Sequence, residues 1–293
     1  EARLYNLTYN RAFDSSDLVV SLSRYSRKTS DTRDVTPSVD NEIAVGMGEP
    51  AACTVRTLQF CSADYIAEIS DADGVVPIAL GMNGGVKSNS FEARLVSKAD
   101  TAFRWTTGIF YQDRESLFRN AFEVRSAADP EATNALLFSR ENTRYTKMQA
   151  VFAEAEYDLT QRLTAIGGLR WSKYDIMEEQ WTLWSDFPPF GPPITSPVFA
   201  GDMESSESTL TPKVSLSYKL SDDARVYALY SEGFRAGGPN PPAANQEIPA
   251  FKSDSNKNYE LGLKTVWLDG LAIVNVSLFR IDWKDILKEV CDT

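Results

Sequence analysis

Apolar and polar residues alternate at every second position along much of this chain, and no other feature narrows its possible folds as far. In RLYNLTYNRAF (3–13), Tyr5, Leu7 and Tyr9 share one side while Asn6, Thr8 and Asn10 share the other. In VFAEAEYDL (151–159), Val151, Ala153, Ala155 and Tyr157 oppose Phe152, Glu154, Glu156 and Asp158. In PKVSLSYKL (212–220), Val214, Leu216 and Tyr218 oppose Lys213, Ser215, Ser217 and Lys219. RLTAIGGLRW (162–171) repeats the pattern, as do segments near 18–23, 88–97, 101–113, 224–234, 256–268 and 270–283. A period of two is that of a β-strand with one apolar and one polar face. The expectation is an all-β chain of about ten antiparallel strands, with neighbours joined as hairpins.

The connections sort these strands further. Short polar turns at 14–17, 97–100, 158–162, 220–224 and 268–270 alternate with long connections at about 28–87, 114–144, 176–206 and 235–255. Short turns at one end and long loops at the other are the habit of an outer-membrane barrel, with its strands of roughly 9–11 residues or more. A soluble sandwich would mix loop lengths at both ends. No apolar run reaches the roughly 20 residues of a membrane-spanning helix. Tyr5, Tyr9, Tyr157, Tyr218, Tyr230, Tyr259, Trp171 and Trp267 fall on apolar faces. That suits a membrane–water interface, where an aromatic ring is half apolar and half wet. Packing between two soluble sheets is the competing account. With a net charge of −11, nucleic acid is excluded as a partner.

The 293 residues contain no histidine, so Ser–His and Cys–His catalysis are impossible within the chain. Glu154 and Glu156 point the same way on one strand, as mixed charge on a wet wall would. No catalytic residue and no cofactor is assigned, and the chain is not read as an enzyme. Cys53 and Cys61 lie close in CTVRTLQFC, whereas Cys291 is alone. The pair could ligate a metal. Without histidine or a second cysteine pair, a disulfide clipping an exposed loop is the favoured reading, and it implies an oxidising compartment.

The stretch YSEGFRAGGPNPP (230–242) begins as a strand and ends in Gly, Asn and Pro around Arg235. It is not a phosphate loop, since no Gly-Lys-Ser/Thr follows and no helix begins there. Proline and glycine end the ladder instead, and the strand leaves the membrane near Phe234. Arg235 at that mouth could hold an anion by bidentate hydrogen bonds or cap loop carbonyls. In the connection beyond 176, Trp181, Trp184, Phe187 and Phe190 crowd into QWTLWSDFPPF. They form either a ligand-binding surface or a small core of the loop itself.

VYALYSEGFRAGGPN, followed by the SDSNKNYELGLKTVWLDGLAIVNVSLFRIDWKDI segment, resembles the barrel of TonB-dependent outer-membrane receptors, and so do AVFAEAEYDLTQRLTAIGGLRWSKYD and LTPKVSLSYKLSDDARVY. The resemblance centres on Gly233–Gly238 and on Tyr259–Lys264, is strong over about 145–283 and weaker over 1–113. It implies a 22-stranded barrel filled by an N-terminal plug, in the outer membrane of a Gram-negative bacterium. Nothing in 1–293 resembles the plug, the motif that contacts TonB, or the closing C-terminal strand, so the chain is read as an internal part of such a barrel. The implied activity is TonB-energised uptake of a scarce nutrient, a ferric siderophore first, with vitamins and oligosaccharides open. The implied partners are the TonB complex, reached through the plug, the ligand, and outer-membrane lipid. A passive porin and a soluble β-sandwich binding module are the alternatives.

Overall fold

The computed structural model describes residues 1–34, 78–125, 133–185, 198–239 and 250–286. Ten strands follow one another: β1 (Ala2–Ala12), β2 (Ser16–Asp34), β3 (Ile78–Ser97), β4 (Phe103–Arg125), β5 (Thr133–Asp158), β6 (Leu163–Ser185), β7 (Val198–Ser221), β8 (Ala224–Arg235), β9 (Asp254–Trp267) and β10 (Ala272–Lys284). They form one sheet in sequence order, every neighbouring pair antiparallel. The only helical turn among the described residues is a 3-10 turn at Leu268–Gly270. There Leu268, Asp269 and Gly270 all take positive φ, so the β9–β10 turn reverses within three residues. β1 and β10 are the two edges of an open sheet.

The register converts alternation into two continuous faces. Leu7 lies opposite Leu22, Leu22 opposite Phe91, and Phe91 opposite Tyr111. Farther along, Leu169 meets Pro212, Leu216 meets Ala228, and Ala228 meets Leu261. All of these side chains stand on one face. The opposite face carries Thr8 against Ser21, Ser21 against Glu92, Glu154 against Gly168, and Gly168 against Lys213.

This sheet has almost no hydrophobic core. Among the described side chains the buried apolar residues are Ala79, Ala121, Ala150 and Ile176, whereas Leu7 is 66% exposed and Leu216 48%. A sandwich would bury that apolar face against a second sheet. Here the face is bare and extends across all ten strands, far beyond the patch a soluble monomer tolerates. Hydrocarbon is the solvent that suits it, because side chains there need no hydrogen bonds while the ladder satisfies the backbone. Aromatic pairs stand on this face: Phe103–Tyr157 near the short turns, at 6.3 Å between rings, and Tyr230–Tyr259 at the other end, at 5.2 Å. The soluble-sandwich alternative does not describe this architecture.

The strands outrun the sequence expectation. β4 continues to Arg125, β5 begins at Thr133, and β6 and β7 reach Ser185 and Val198. Much of what alternation assigned to long connections is therefore ladder. Antiparallel pairing continues wherever backbone groups can satisfy each other, but beyond the apolar band polar and apolar side chains mix on both faces and the clean period of two disappears. Register shifts at Phe122/Glu123, Ser139/Arg140 and Gln180/Trp181 mark these extensions.

Candidate functional site

The polar face is concave, and its charges are matched across strands. Lys213 Nζ meets Glu154 Oε2 at 2.8 Å. Arg104 spans two carboxylates, reaching Asp158 Oδ2 at 2.7 Å and pairing with Glu156. Thr164 Oγ1 also donates to Asp158, at 2.7 Å. The Arg170 guanidinium lies 5.5 Å from the centre of the Phe152 ring and 5.6 Å from that of Phe110. Such cation–π packing holds a charge in place without a carboxylate.

Two glycines make room for aromatic rings on this face. A Cβ at Gly108 would come within 2.6 Å of Phe152 Cζ, and one at Gly262 within 2.3 Å of the Tyr227 ring. Each ring thus lies flat across the neighbouring strand. Tyr227 is fixed there by its hydroxyl, which donates to Glu260, and by Lys264 Nζ, 5.4 Å from the ring centre.

At the end remote from the short turns, β5 and β6 bring together a polar cluster that alternation did not reveal. Asn142 lies opposite Gln180, and Arg144 opposite Glu178. Arg144 Nε donates to Glu178 Oε2 at 2.7 Å. Glu178 and Gln180 are 4% and 1% exposed. Gln180 Oε1 and Asn142 Oδ1 are buried and accept no hydrogen bond among the described residues. Buried acceptors of this kind are costly unless a donor reaches them, and a polar ligand is one way to supply it. The sequence held a trace of the cluster in RENTR (140–144), with polar residues two apart. The intervening Glu141 and Thr143 are polar too, so no face stood out.

The residues singled out from sequence are dispersed. Trp181 lies on β6, half-buried, with its ring 4.7 Å from that of Phe199 on β7. Trp184 belongs to the β6 ladder opposite Ser139 rather than to a free loop. Phe187, Phe190, Cys53, Cys61 and Cys291 lie outside the described residues. Arg235 ends β8, opposite Asp254, and its Nε donates to Asp254 Oδ2 at 2.8 Å. Its charge is therefore neutralised by a buried carboxylate. Beyond it, Gly238 pairs with Phe251, and the Gly237 N–H donates to Glu207 Oε2 at 2.9 Å. A Cβ at Gly237 would fall 2.4 Å from the Phe251 carbonyl, so glycine is what lets this crossing close.

Comparison with known proteins agrees with this geometry. The pesticin receptor of Yersinia enterocolitica is 29% identical over 126 residues, 42% of this chain and 17% of that protein. The ferric-pyoverdine 358 receptor of Pseudomonas putida is 26% identical over 137 residues, 46% of this chain and 14% of that protein. The crystal structure of the ferric yersiniabactin uptake receptor FyuA from Yersinia pestis superposes with a TM-score of 0.69 at 16% identity, over 97% of this chain and 36% of that one. The chain thus spans well under half the length of these proteins. A family model described as TonB dependent receptor-like, beta-barrel, matches residues 1–293, and the chain belongs to that family.

Proposed function

We propose that this chain forms part of the wall of an outer-membrane receptor that imports a ferric siderophore with energy delivered through TonB. The observation that carries the reading is the family match along the whole of residues 1–293. The bare apolar face and the charge-matched concave face support it, because a wall between lipid and a wet lumen needs both. Relatives named for ferric chelates supply the cargo class. In this reading a plug domain outside the chain links the lumen to TonB, and no catalysis is involved.

At the mouth, the ligand reaches the acceptors of Asn142 and Gln180 from the lumenal face, and Trp181, which stands on the other face of β6, contributes with Trp184, Phe187 and Phe190 where the chain turns over the rim. Arg235 is a weaker anion holder than its position alone suggests, since Asp254 already compensates it. In the same reading Cys53 and Cys61 form a disulfide, as an exported chain in an oxidising compartment allows.

The test is uptake of radioiron-loaded siderophores by cells whose only ferric-chelate receptor is the full-length protein. Accumulation that requires TonB is expected. Uptake that persists without TonB would make the barrel a passive pore, and no accumulation of any ferric chelate would remove siderophores as the cargo.

A further inference from the structure

One hollow on the concave face departs from the charge matching seen elsewhere. It lies at the short-turn end, has a volume of about 760 Å³, and is lined by five cations and two carboxylates. Both carboxylates, Glu156 and Asp158, are already held by Arg104. Arg162, Lys219, Arg225 and Lys264 remain, in a chain whose net charge is −11.

Three of these cations form a row. Lys219 on β7 lies directly opposite Arg225 on β8, and Arg225 lies directly opposite Lys264 on β9. Like charges in such positions repel, and sheets ordinarily avoid them. Among the described residues no carboxylate forms an ion pair at contact distance with any of the three, although Asp158 is near enough to interact with the charge of Lys219 and Lys264 lies over Tyr227. Lys213, Arg144 and Arg235 on the same face each have a carboxylate partner. Strands are spaced about 4.8 Å apart, so the row spans roughly 10 Å. The long side chains can converge on one group, with the planar fork of Arg225 between two point charges.

We propose that Lys219, Arg225 and Lys264 form a lumenal binding site for a small, multiply charged oxyanion, carrying carboxylate or phosphoryl groups. The spacing favours at least two negative charges over one. Ser217, on the same hollow, adds a hydroxyl donor. The site lies at the opposite end of β8 and β9 from the Arg235–Asp254 pair, where positive charge is already spent. It rests on the concave face lining a lumen that stays open to water at this hollow beside the plug, so uptake by intact cells can succeed where this proposal fails.

The experiment is calorimetric titration of the full-length receptor, purified in detergent at low ionic strength, with citrate and separately with pyrophosphate. Saturable binding of at least one anion is expected, weakening as ionic strength rises from about 0.02 to about 0.5 M. The Lys219→Gln/Arg225→Gln/Lys264→Gln variant should bind roughly tenfold more weakly or worse, and Arg235→Gln should bind as the parent does. The two probes separate carboxylate from phosphoryl recognition. Should the triple variant fail to fold, Arg225→Lys serves instead: it keeps the charge but loses the fork, and a selective loss for one anion supports the site. Unchanged binding in the folded triple variant overturns the proposal. So does an absence of saturable binding of either anion by the parent; a lower melting temperature in the triple variant would then mean that the receptor's own acidic side chains occupy the row.

Discussion

Arg235 and Asp254 close the upper end of the β8–β9 ladder as direct cross-strand partners, with Asp254 buried and Arg235 half exposed. Removing the arginine strands a buried carboxylate, whereas removing both groups does not. Because the arginine is half exposed, the expected cost of Arg235→Ala is about 1–3 kcal/mol, below that of a fully buried pair. The double variant with Asp254→Ala should recover part of this, and denaturant midpoints of the full-length receptor read out the cycle.

The outer face predicts a sharp asymmetry between sequence neighbours. Leu216 stands in the apolar band of β7, between Val214 and Tyr218, and Ser217 points to the concave side. Leu216→Lys should destabilise the barrel in lipid by about 2–4 kcal/mol, and Ser217→Lys by much less. Reversible unfolding from phospholipid vesicles measures both. Equal costs would contradict the assignment of faces.

Gly262 and Tyr227 should be strongly non-additive. The three atoms nearest a methyl group at Gly262 all belong to Tyr227, so Gly262→Ala should cost about 1–3 kcal/mol in the parent and much less in a Tyr227→Ala background. Gly108 should behave differently. A Cβ there meets the Ala93 carbonyl at 2.7 Å as well as Phe152, so truncating the phenylalanine cannot fully relieve Gly108→Ala. Denaturant midpoints of the four single and two double variants decide between these outcomes.

At the mouth, Gln180→Leu removes a buried acceptor without removing bulk. If that acceptor receives a ligand donor, chelate affinity should fall about five- to twentyfold while barrel stability is kept or slightly raised. Equilibrium binding of the ferric chelate and thermal melting of the same preparation separate the two effects. A loss of stability with unchanged affinity would make the cluster structural.

For the cysteines, the expected outcome is an intact mass of the unreduced protein that is two hydrogens below the sum of its residues, with Cys53 and Cys61 in one cross-linked peptide. Free thiols at both positions would reject the pairing.

Much of the wall was written in the chain. Tyr5–Leu7–Tyr9 against Asn6–Thr8–Asn10, or Val214–Leu216–Tyr218 against Ser215–Ser217–Lys219, names its own two faces, because consecutive side chains of a strand must point opposite ways and only one face meets lipid. The five short turns fixed which strands form hairpins. Tertiary structure decided what depends on register. The pairing of Asn142 with Gln180, the row Lys219–Arg225–Lys264 and the ring of Tyr227 over Gly262 join residues from different strands, and spacing along one strand does not state where its neighbour is aligned. Strand length was hidden for a related reason. Where β4 to β7 rise past the apolar band, polar and apolar side chains mix on both faces, so no regular side-chain contrast records a ladder that the backbone hydrogen bonds continue.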